Sequence, residues 1–183
     1  IKFFGEEQEK MRIRFECYTK KRWVGESKSG EGSSLKQTEI IRRALPDLFK
    51  KYKIKTILDA PCGDFNWMKE VDLTGIDYLG IDIVEDIINE NIKKYRKIDL
   101  KTDSYIDFYT KDLTLEYLPK ADLILCRDCL VHLSLADIFL ALQNFKKSNS
   151  KYLLTTNFPA TPVNNELNSC GWRSINLTLP PFN

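Results

Sequence analysis

Hydrophobic positions along the chain fall in short runs between polar turns, and helical and strand periodicities take turns. From Gln37 the pattern is helical: Ile41, Ala44, Leu45 and Leu48 recur at i, i+3, i+4 and i+7, with Pro46 marking a bend or restart. Ile54–Leu58 is a compact β-favouring run that ends at Asp59, and a helix is expected around Asn66–Val71. Tyr78–Ile83 reads as a second strand and Glu85–Tyr95 as a second helix, with Ile88, Ile92 and Tyr95 on one face. Tyr105–Tyr109 is a third strand closing near Asp112, and Asp122–Cys126 a fourth. Ser134-Leu135-Ala136-Asp137 has the form of an acidic capping box. It opens a helix whose Ile138, Leu142 and Phe145 face inward, and Tyr152–Thr156 follows as the fifth strand.

Short apolar strands alternating with helices call for an α/β architecture, a doubly wound and mostly parallel sheet covered on both faces. The 183 residues fit one such domain. Residues 38–183 form it, and residues 1–37 read as an N-terminal extension. Within the extension, Trp23–Ser34 holds three glycines and four serines in twelve residues, the composition of a mobile loop. Ahead of a sheet, such a loop is either a plain leader or a lid over a ligand.

In these sheets ligands bind beyond the carboxyl ends of the strands, where the strand order reverses. Asp59 ends the first strand, and Gly63 lies in the following turn, where the missing Cβ lets backbone approach a ligand. Asp82 ends the second strand 23 residues beyond Asp59, the place at which a carboxylate receives a ribose diol. Asp112 follows the third strand, where a carboxylate can accept from an adenine amine.

The segment Ile57–Phe65, with its loop Asp59-Ala60-Pro61-Cys62-Gly63-Asp64-Phe65, resembles the first motif of class I S-adenosylmethionine-dependent methyltransferases. More closely, the chain is similar to a bacterial subgroup of that superfamily with a DAPCGDFNWM loop and a CRDCLVHLS segment, here Asp59–Met68 and Cys126–Ser134. The resemblance implies a Rossmann-like methyltransferase fold with S-adenosylmethionine as cofactor. It places Asp59, Ala60, Pro61, Gly63 and Phe65 against the methionine part, Asp82 with Ile83 at the ribose, and Asp112 with Leu113 beside adenine. Cys126 and Arg127 would border the cofactor, and Asp128 the acceptor cleft. The chain departs from the motif at Pro61 and Phe65, where glycines are usual. It also departs at its end, where the usual antiparallel strand pair is incomplete and Ile175–Leu179 is the one candidate strand.

For an acceptor oxygen of high pKa, Asp128 and His132, the single histidine, are the candidate catalytic bases. The acceptor is expected to be a small molecule or a glycan-linked group. A formal charge of +2 and the lack of a continuous basic stripe argue against nucleic acid. No apolar run is long enough to span a bilayer. Five cysteines without a regular framework suit a reducing, cytoplasmic setting. Cys126 and Cys129 form a CxxC without a second pair, so no metal site is expected. Two rivals are a cofactor-binding module without turnover and a nicotinamide-dependent oxidoreductase. The latter requires glycines where Pro61, Gly63 and Asn66 stand.

Overall fold

The computed structural model describes residues 25–167 and 171–183; Trp23 and the first part of the extension lie outside the described residues. Its centre is a six-stranded sheet: β1 (Thr56–Asp59), β2 (Asp77–Asp82), β3 (Lys97–Asp99), β4 (Ser104–Thr110), β5 (Leu123–Cys126) and β6 (Tyr152–Thr155), in the order β3-β4-β2-β1-β5-β6. All neighbours are parallel except β3 and β4, which form an antiparallel hairpin at one edge. Among the described residues three α-helices flank the sheet: α1 (Glu39–Tyr52), α2 (Glu85–Tyr95) and α3 (Leu135–Lys147).

Alternation along each strand divides the core in two. Ile57, Tyr78, Leu123 and Leu125 point to the face covered by Leu45 and Phe49 of α1 and Ile88 of α2. Leu58, Ile81, Ile124 and Cys126 point to the other face, against Ile138, Ala141 and Phe145 of α3. The cap expected at Ser134 forms, its Oγ accepting the Asp137 N–H at 3.1 Å. Helix α1 runs through Pro46 without interruption, and Ala44 lies on its exposed side rather than in the core.

Two expected elements are replaced. No α-helix forms over Asn66–Val71; the crossover from β1 to β2 holds a single 3-10 turn, Met68–Glu70. Trp67, Met68 and Val71 are all buried there, and Phe65 takes a left-handed φ of 57°, which a helix cannot continue. Ile175–Leu179 is not a strand. The Asn176 carboxamide oxygen accepts from the Thr178 backbone N–H at 3.0 Å and hydroxyl at 2.7 Å, folding the segment into a turn. The β3 strand is an addition with no counterpart in the sequence pattern.

Candidate functional site

Strand order reverses around β1: the chain builds outward through β2 and β4, then returns to place β5 and β6 on the other side. The turns after β1 and β5 therefore diverge, and a cavity of about 730 Å³ opens over the carboxyl ends of the strands. Of the expected cofactor residues, Asp59, Pro61, Gly63, Asp82, Ile83, Asp112, Leu113 and Arg127 line it, as do Asp128 and His132. Ala60, Phe65 and Cys126 do not. Ala60 and Cys126 are fully buried in the core. Phe65 turns away from the cavity into an aromatic cluster with Tyr78, Tyr95 and Phe108, ring centroids 5.1–5.2 Å apart.

The carboxylates are held individually. Asp82 accepts the Gly63 N–H through Oδ2 at 3.0 Å and the Val84 N–H through Oδ1 at 2.9 Å. Each oxygen of an ionised carboxylate retains a further lone pair for a ligand hydroxyl. Burial pushes the Asp82 carboxyl above the usual range, against the pull of those amides. Asp59 is buried and accepts the Tyr78 hydroxyl at 2.6 Å; burial raises its pKa to about 7, the hydroxyl opposing and the charge of Asp82 adding. Asp112 Oδ1 accepts from the Thr114 N–H at 2.8 Å and hydroxyl at 2.6 Å.

On the β5 side, Asp128 takes a left-handed φ of 51°. Thr156, just after β6, accepts the Asp128 N–H at 2.9 Å and donates its hydroxyl to Oδ1 at 3.0 Å, fixing both backbone and side chain. Oδ2 pairs with the Arg127 guanidinium at 3.0 Å, itself 5.8 Å from the Trp67 ring centroid. His132 Nδ1 lies 2.5 Å from the Gly171 carbonyl oxygen. A carbonyl only accepts, so Nδ1 carries a proton, and in the neutral ring the lone pair is on Nε2.

The Ser/Gly loop, expected as either leader or lid, lines the cavity through Lys28–Ser33 and lies on the β1 turn. Trp172, which lines it from the far end of the chain, has no signal in the sequence pattern. Gly63 has φ of 56°, and a β-carbon there would lie 2.2 Å from Ser29 Oγ. Asn91 of α2 donates to the Gly63 carbonyl at 2.8 Å. Among the described residues no cluster of three His, Cys, Asp or Glu side chains suits a metal ion, and Cys126 and Cys129 are free thiols. No helix among them is long and apolar enough to cross a membrane.

No family model and no curated protein matches the chain. Solved structures do. The chain resembles the PH0226 protein of Pyrococcus horikoshii OT3 at 20% identity and a TM-score of 0.51, over 69% of this chain and 61% of that one. It resembles the methyltransferase domain of bacterial CtHen1-C at 14% identity and 0.52, over 67% and 65%. Magnesium protoporphyrin IX methyltransferase (ChlM) from Synechocystis PCC 6803, solved with bound S-adenosylhomocysteine, matches at 16% identity and 0.51, over 81% and 68%. The chain thus spans less than two thirds of the length of the first two structures. Its fold is the Rossmann-like fold of the two methyltransferase structures.

Proposed function

We propose that the chain is an S-adenosylmethionine-dependent methyltransferase domain whose cofactor lies in the cavity over β1, β2 and β4. The observation that carries the reading is the polarity of the turn after β1. A dinucleotide needs free amides there for its pyrophosphate. Here the Cys62 amide is spent on Ile81 O, that of Gly63 on Asp82, that of Asp64 on Ser29 Oγ and that of Asn66 on Asp64. No α-helix N-terminus follows. Carboxylates line the surroundings instead, which repel a pyrophosphate and suit a cationic nucleoside. The donor set fits S-adenosylmethionine and disfavours NAD.

Bound there, S-adenosylmethionine supplies an electrophilic methyl group, and the protein's part is to bind and align. Asp82 receives the ribose hydroxyls. Asp112 accepts from the adenine amine, with Leu113 and Ile83 against the ring. Pro61, Gly63 and Asp59 border the methionine end. Asp128, clamped by Thr156 and Arg127, orients the acceptor. The Nε2 lone pair of His132 is available to take the proton of an acceptor hydroxyl or amine. The acceptor is a small molecule or glycan-linked group, since a cavity of about 730 Å³ holds a nucleoside and a compact second reactant.

Calorimetry tests the cofactor assignment. S-adenosylmethionine and S-adenosylhomocysteine are expected to bind, and NAD is not; the reverse pattern overturns the reading. Transfer of a labelled methyl group into a fractionated lysate separates an enzyme from a binding module without turnover.

A further inference from the structure

We propose that Asp64 is a positioning residue: it latches residues 26–35 as a strap along the cavity, and release of this latch gates cofactor exchange. The identity of the cofactor rests on the methyltransferase reading above. The Asp64 carboxylate accepts the Ser27 hydroxyl at 2.9 Å, the Lys28 backbone N–H at 2.6 Å and the Ser29 hydroxyl at 3.3 Å. In return, the Asp64 N–H donates to Ser29 Oγ at 2.9 Å. The Ser27 oxygen accepts the Ser29 N–H at 3.0 Å, which directs its own proton to Asp64. Asn66, two residues on, holds the strap's ends: its Nδ2 donates to Glu26 Oε1 at 2.8 Å and to Ser33 O at 3.1 Å. Glu26 Oε1 also accepts the Leu35 N–H at 2.9 Å.

The held segment touches both halves of the site. Ser29 packs against Gly63 in the turn after β1, and a β-carbon on Gly32 would lie 3.2 Å from Asp128 Oδ2 on the β5 side. A ligand seated between Gly63 and Asp128 is therefore bordered by the strap. Between Glu26 and Ser34 the strap offers no large apolar side chain for burial, so it is held by hydrogen bonds and the exposed Lys28–Glu90 ion pair, with Leu35 packing against the core at its end. Such bonds exchange with water at small net cost, as a segment that opens locally requires. Asp64 itself does not line the cavity, so its substitution removes no ligand contact; apart from the strap, it loosens the long 3.3 Å bond from the Asn66 N–H, which the Ser27 variant below leaves in place.

The test uses the whole chain and S-adenosylhomocysteine as probe, with release followed by the fluorescence of Trp67 and Trp172. Asp64→Asn keeps the size of the side chain but turns a donor or a single oxygen toward the Lys28 N–H and the two serine hydroxyls. Release is expected to accelerate roughly ten- to a hundredfold. Ser27→Ala cuts the same latch from the other side, at a residue that neither lines the cavity nor accepts an amide of the β1 turn; it should accelerate release in the same direction. Hydrogen exchange of residues 26–35 in the ligand-free protein should rise in both variants while the sheet stays protected. Unchanged release in both folded variants overturns the proposal, as does unchanged strap exchange. If S-adenosylhomocysteine fails to bind the wild type, the methyltransferase reading falls. The gating role falls with it, whatever the strap's exchange shows.

Discussion

Asp82 carries two loads, one structural, as acceptor for the Gly63 and Val84 amides, and one toward the ligand. Asp82→Ala removes the acceptor for a ribose diol, and hydrogen bonds to a charged group are worth roughly 1.5–3 kcal/mol each. Affinity for S-adenosylhomocysteine should fall by about one to three powers of ten in a folded variant, and calorimetry showing no change removes Asp82 from the site. Asp59 makes a different prediction. Its folded pKa of about 7 lies above the ordinary aspartate value. The protonated form therefore stabilises the fold, a contribution complete below about pH 4 and lost as pH rises through about 7. Asp59→Asn mimics the protonated form at every pH. Its stability relative to wild type should improve between pH 5.5 and 8.5, by an amount on the order of 1–4 kcal/mol. Denaturant titrations with a constant difference across that range would remove the buried charge from the argument. Asp59, Asp82 and Asp112 were legible in the sequence because the first two close apolar runs at strand ends and the third follows just past another strand. Asp64, Asn91 and Thr156 were not. Their roles arise from partners 35, 28 and 28 residues away, and nothing local marks them.

Elements were legible where one periodicity dominated. The four parallel-paired interior and edge strands around β1, and helices α2 and α3, sit where their apolar spacing puts them. The crossover after β1 fails that rule because Trp67, Met68 and Val71 satisfy burial without a helical face, and Asn66 spends its side chain on the strap. The three-residue strand β3 pairs only through its backbone with β4, and its Ile98 is 75% exposed, so no apolar alternation announces it. The missing crossover helix leaves the β1 turn to be braced from elsewhere, and α2 supplies the brace through buried Asn91. Asn91→Ala leaves the Gly63 carbonyl to the weak Cys62 thiol donor at 3.5 Å. The expected loss is about 1–3 kcal/mol in denaturant-measured stability, with weaker binding of S-adenosylhomocysteine. A variant of wild-type stability would show that water replaces the amide and that α2 does not set the turn.

At the scale of the molecule, the chain's formal charge of +2 is not spread evenly. Glu31, Asp59, Asp82, Asp112, Asp128 and Asp137 line the cavity, against Lys28, Lys111 and Arg127. The fold produces this excess by ending β1 and β2 on aspartates and placing Asp112 and Asp128 just past β4 and β5, on one edge of a parallel sheet. Linear sequence shows the residues but not their convergence, which requires the strand order. S-adenosylmethionine carries a sulfonium charge that S-adenosylhomocysteine lacks, while the adenosine and amino-acid parts are shared. The difference between their affinities therefore isolates the attraction of the cavity for positive charge. The carboxyl groups of Asp59 and Asp82 are buried beyond the reach of salt, whereas the exposed Glu31 and half-exposed Asp128 and Asp137 are not. The screening length falls from about 30 Å at 0.01 M salt to about 3 Å at 1 M. Partly exposed charge pairs contribute about 0.2–1 kcal/mol each. Raising salt across that range should therefore weaken S-adenosylmethionine about two- to fivefold more than S-adenosylhomocysteine. Parallel calorimetric titrations at low and high salt provide the measurement. A ratio of affinities that does not move with salt would mean that the exposed carboxylates face solvent rather than the bound methyl donor.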